Sequence, residues 1–119
     1  MPPAASRADI EPPLQEITVI VEIAELRVDP ARHEEFGQAL TQAVAEVLSK
    51  AGGYRGHSIL ACMETPGRYV LQVNWETLED HTVGFRESPA FAQWRAIIGP
   101  YFAQAPHVEH FVVRDARAT

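Results

Sequence analysis

The side chains best suited to chemistry gather in one window, Trp75 to Trp94, which reads WETLEDHTVGFRESPAFAQW. His81 lies there four residues before Phe85, and Arg86 follows directly. An imidazole titrates near neutrality, so it can take a proton from a phenolic hydroxyl. A guanidinium beside it would steady the anion that results, a phenolate or a superoxide. Trp75, Phe85, Phe91, Trp94 and Tyr101 offer flat walls for a planar substrate, although for each taken alone core is the stronger reading. His81 has a plain alternative as well, a structural ring bonded to a backbone carbonyl, and Arg86 could simply pair with a nearby Glu. Asn74 adjoins Trp75 on a strand, so it points to the opposite face and there forms a polar pair with Gln72.

The other reactive residues assemble nothing. His57, His107 and His110 fall on different strands or faces with no ligand spacing, and the last two should point to opposite sides of their strand. No metal and no cofactor are expected. Cys62 is the lone cysteine, so there is neither an internal disulfide nor a CxxC pair. GxSxG, P-loop and GxGxxG patterns are absent, which removes support for hydrolase and nucleotide readings.

What positions His81 is a broken helix. Thr77 and Asp80 have the spacing of a capping box, and Leu78, His81 or Thr82, and Phe85 share one helical face. Gly84 weakens that turn, and Ser88-Pro89 restarts a helix with an N-cap serine and an N1 proline. Phe91, Trp94, Ile97 and Ile98 give it an apolar face until Gly99-Pro100. A cap contributes about 1 kcal/mol, whereas each buried Phe or Trp is worth roughly 1.5–3 kcal/mol. Packing on a sheet must therefore hold these short helices. A cleft, if present, lies between the 78–98 helices and the inward face of the third strand. The main competing location is the dimer interior near Gln72 and Asn74.

Residues 1–15 hold four of the nine prolines and are expected to be a flexible arm. The folded domain should span 16–114, with 115–119 frayed. EITVIVEIAELRV is a strand apolar on both alternating sets, which asks for cover on both faces. Asp29-Pro30 caps a long amphipathic helix marked by Phe36, Leu40, Val44 and Val47/Leu48 and closed by Gly52-Gly53. YRGHSILACME is a strand weakened by Gly56 and so placed at an edge. Thr65-Pro66-Gly67-Arg68 is a type II turn leading into RYVLQVNW, and HVEHFVVRD is the fourth strand.

The order β-α-β-β-α-β predicts an α+β, ferredoxin-like antiparallel sheet with both helices on one face. The bare face should then meet a twin, sheet to sheet, in a two-fold homodimer. A formal charge of −6 argues against nucleic acid, which needs a basic surface. No apolar run approaches a membrane span, and a soluble cytoplasmic protein is the default expectation.

The long first helix, the Pro-Gly hairpin and the pattern W-x-T-L-E-D-H-x-x-G-F-R-x-S-P-x-F-x-x-W together resemble the antibiotic biosynthesis monooxygenase family, across about residues 17–113. The resemblance implies a dimeric α+β barrel. Its members range from cofactor-independent oxygenases of phenolic polyketides through quinol oxidation to haem degradation. The haem-degrading branch has a Trp three residues before the serine, a His seven after it, and an Asn on the first strand. Phe85 and Arg95 occupy the first two positions here and the first strand lacks Asn, so haem degradation is not expected. Two functions follow. One is a cofactor-independent monooxygenase of an electron-rich aromatic, with His81 as base, Arg86 as anion stabiliser and Trp75, Phe85, Phe91, Trp94, Tyr101 and Asn74 around the substrate. The other is a non-catalytic dimeric module that binds a small hydrophobic molecule or serves only in assembly.

Overall fold

The computed structural model describes residues 19–117, so the proline-rich arm expected at 1–15 lies outside the described residues. Strand β1 (Ile20–Arg27) leads through a short turn into helix α1 (His33–Glu46). Strands β2 (Tyr54–Ala61) and β3 (Arg68–Trp75) form a hairpin, a π-helical segment (Asp80–Phe85) precedes helix α2 (Pro89–Ile98), and β4 (His107–Val112) closes the sheet. All pairings are antiparallel, in the order β2-β3-β1-β4. This is the ferredoxin-like arrangement that the element order predicts.

Strand alternation divides β1 and β3 as expected. Ala24 and Leu26 on β1, Val28 just after it, and Tyr69, Leu71, Val73 and Trp75 on β3 are buried in one core with Phe36, Leu40 and Val44 of α1 and Trp94 and Ile98 of α2. The opposite face carries Val21, Ile23, Gln72 and Phe111, with Phe111 half-exposed. The hairpin turn also follows its sequence: Arg68 N–H donates to Thr65 O at 3.1 Å, and Gly67 has φ +89°. That left-handed backbone is the one a type II turn demands at its third position.

Two local expectations are corrected. Helix α1 stops at Glu46, short of Gly52-Gly53, because Val47 leaves helical geometry and a 3₁₀ turn, Leu48–Lys50, takes over. That tighter turn still delivers Val47 and Leu48 to the core. Leu78, expected inward, is 39% exposed. The wider winding of the next turn brings His81 and Phe85 against the sheet and leaves Leu78 at the rim.

Candidate functional site

A fixed start and a widened turn place His81. Thr77 N–H donates to Asp80 Oδ2 and Asp80 N–H donates to Thr77 Oγ1, both at 3.1 Å, the reciprocal capping box that the spacing predicts. From there the backbone widens into the π-helical segment and drives His81 onto the indole of Trp75, with centroids 5.2 Å apart and planes 18° apart. Phe85 follows on the same side and meets Phe91 and Trp94 edge to face, at 5.6 and 6.1 Å.

Behind this aromatic group stands a buried acid. Glu22 occupies an inward position of β1 between Val73 on β3 and His110 on β4, and it is only 6% exposed. Trp75 Nε1–H donates to Glu22 Oε1 at 2.9 Å, and His81 Nε2 lies 3.4 Å from the same oxygen. The other ring nitrogen, His81 Nδ1, is 2.8 Å from His110 Nε2. Glu22, His81 and His110 thus form a chain of polar contacts rather than a chelate, since the two nitrogens of His81 serve different neighbours. Among the described residues no three His, Cys, Asp or Glu side chains converge as metal ligands.

A cavity of ≈ 350 Å³ opens beside the chain, between α2 and the inward face of β1. Its volume is at the small end of the range for ligand sites. Phe85, Phe91, Trp94 and Val108 supply apolar wall, and Glu22, His81, Arg86 and Arg95 supply the polar groups. Burial favours the neutral forms of Glu22, His81 and His110. It raises Glu22, against the opposing pull of the Trp75 hydrogen bond and the Arg86 charge. It lowers His81 to about 4, helped by Arg86 and His110. His110 is lowered by burial and then by Arg86. Both imidazoles are therefore neutral at neutral pH, and one proton sits between His81 Nδ1 and His110 Nε2.

Of the residues singled out in the sequence, the structure brings His81, Arg86, Phe85, Phe91 and Trp94 to the cavity. Trp75 stands behind His81 as its stacking partner. Asn74 does not reach this cavity, because alternation turns it to the other face of β3. Tyr101 is drawn away by the 3₁₀ turn Gly99–Tyr101: its hydroxyl donates to Glu35 Oε2 at 2.8 Å and Arg32 covers its ring. Phe102 lines the cavity in its place. Glu22 and Arg95 carry no role in the sequence reading, and His110, set aside there for want of ligand spacing, is corrected to a direct partner of His81. A signal for Glu22 existed, since it interrupts the inward apolar series Ile20, Ala24, Leu26, Val28. For His110 the strand parity was readable, but its position directly across from Glu22 depends on register.

Residues 19–97 match the antibiotic biosynthesis monooxygenase family. YczJ of Bacillus subtilis (strain 168), an uncharacterized protein, is 42% identical over 93 residues, which cover 78% of this chain and 97% of YczJ. A candidate antibiotic biosynthesis monooxygenase of Bordetella bronchiseptica superposes with a TM-score of 0.73 at 35% identity, covering 86% of this chain and 99% of that one. The monooxygenase from the gene ActVA-Orf6 of Streptomyces coelicolor, solved with the ligand nanaomycin D, also gives 0.73, at 21% identity and with 86% and 93% covered. At that identity the likeness is one of fold.

Proposed function

This chain belongs to the antibiotic biosynthesis monooxygenase family, and from that premise we propose that it is a cofactor-independent monooxygenase of an electron-rich aromatic: a phenol, an anthrone or a hydroquinone. The observation that carries this reading is an apolar cavity with a buried proton-accepting cluster and a cation on its wall. Loss of the hydroxyl proton to the cluster around His81 leaves a phenolate, which gives up electrons far more readily than the phenol. Arg86 steadies that anion. Dioxygen then delivers one atom to a ring carbon and the other leaves as water, with all four electrons drawn from the substrate. Phe85, Phe91 and Trp94 hold the ring and keep water out, so the protein contributes a base, orientation and a dry site.

One observation favours the second reading, a binding module without catalysis: His81 Nδ1 is already hydrogen-bonded to His110, and Nε2 is turned to Glu22 Oε1 at 3.4 Å. Dioxygen uptake with a panel of hydroquinones separates the two. The oxygenase reading expects uptake by the wild type and its loss in a folded His81→Ala variant. Binding without uptake across the panel would favour the module.

The same reading includes a homodimer. Val21, Ile23 and Phe111 form an apolar outer face, and a second copy laid sheet to sheet would cover it under two-fold symmetry.

A further inference from the structure

The cavity meets its ionisable cluster at Glu22 and His81, and the two differ in what they have left to offer. His81 Nδ1 is hydrogen-bonded to His110, and its Nε2 faces Glu22 Oε1 at 3.4 Å. Glu22 takes its contacts from Trp75 and His81 on Oε1 alone among the described residues. Glu22 also lines the cavity, and Oε2, which takes neither of those contacts, is the acceptor it has left to offer a ligand there. At the far end of the chain His110 sits half-buried on β4, an edge strand.

We propose that Glu22 takes the substrate's hydroxyl proton and that His81 and His110 carry it outward, with His110 as the exit. This rests on the oxygenase reading above. The substrate hydroxyl gives its proton to the Glu22 carboxylate, leaving the phenolate beside Arg86. The Glu22 carboxyl, protonated on Oε2, turns about Cγ–Cδ to present that proton to His81 Nε2, which faces Oε1; as it arrives, the His81 Nδ1 proton moves to His110 Nε2 and the His110 Nδ1 proton to water. Each ring gains one proton and loses one, so the net change is one proton from substrate to solvent. Burial helps the first of these transfers and opposes the second. Burial makes the carboxylate a better proton acceptor than usual and the His81 imidazole a poorer one. Arg86 acts on Glu22, His81 and His110 alike, and Arg95 adds a second cation at the wall. Arg86 discourages a proton from resting on either imidazole, so His81 must release its Nδ1 proton as it receives one at Nε2.

The test uses the full chain with 1,4-naphthohydroquinone as the probe, dioxygen uptake as one readout and ¹⁵N NMR of labelled histidines as the other. Glu22→Gln should lower uptake by about 100-fold or more, in the range of a lost acid–base group. His110→Ala should lower it about 10-fold, and added imidazole should restore most of that loss while leaving Glu22→Gln unrescued. Wild-type uptake in Glu22→Gln, or a His110→Ala loss that imidazole does not restore, overturns the relay. If the wild type takes up no dioxygen from this probe or from the wider hydroquinone panel, the oxygenase reading fails. The NMR then decides the relay separately. Glu22→Gln must shift the titration of His110 across the intervening ring of His81, and an unchanged His110 curve would overturn it.

Discussion

Acid should loosen this protein through His81, and the size of the effect follows from its burial. The ring is 4% exposed, and burial, Arg86 and His110 hold it at about 4, against 6.5 for a free imidazole. Between those values the unfolded chain binds a proton that the folded protein refuses, so stability falls as pH falls. The linkage gives a loss of about 2 kcal/mol from pH 7 to pH 5, and roughly 3 kcal/mol in all once the pH is well below 4. His110 shifts in the same direction and adds to the loss. Glu22 is raised, so in its window acidification stabilises the fold and offsets part of it. Comparison with His81→Gln isolates the ring, because the Glu22 contribution remains in both proteins. Urea unfolding at pH 7 and pH 5, at one fixed protein concentration, is the assay. The wild type should lose about 2 kcal/mol more than His81→Gln between the two conditions. Parallel losses would mean that His81 titrates like an exposed ring, and the buried relay would fall with it.

Three further outcomes follow from the same contacts. Trp75→Phe keeps a flat ring but deletes the donor to Glu22 Oε1; it should cost about 1–3 kcal/mol in urea unfolding and push Glu22 further up. Gly67→Ala should cost more than about 1 kcal/mol, because φ is +89° and a Cβ would collide with the carbonyl of Val28; a neutral result would contradict the turn geometry. Ile23→Glu, on the outer face, should convert a dimer to monomer in sedimentation velocity. A wild type already monomeric at micromolar concentration would contradict the sheet-to-sheet assembly.

Where local chemistry decides the outcome, the sequence was readable. The capping box at Thr77 and Asp80 and the restart at Ser88-Pro89 depend on neighbours a few residues apart, and both are present, whereas the break expected at Gly84 falls after Phe85, because the π-helical segment runs through the glycine. Alternation likewise put Trp75 under the helices and Asn74 outside. The π-helical widening of Asp80–Phe85 was not legible, since it reflects packing of His81 on Trp75 rather than any propensity. Tyr101 and Phe102 exchanged roles because one 3₁₀ turn rotates the chain between them. The pairing of His81 with His110 spans 29 positions and rests on β1–β4 register, which periodicity within one strand does not specify.

The claim at the centre of this account is that the cavity beside Glu22 and His81 receives an aromatic hydroxyl. A crystal structure of the protein with 1-naphthol bound tests it most directly. The account predicts the rings lying among Phe85, Phe91 and Trp94, with the naphthol oxygen within hydrogen-bond distance of Glu22 Oε2 and near Arg86. Naphthol seated instead on the outer face between Val21 and Phe111, or in the cavity with its oxygen turned away from Glu22, would contradict it.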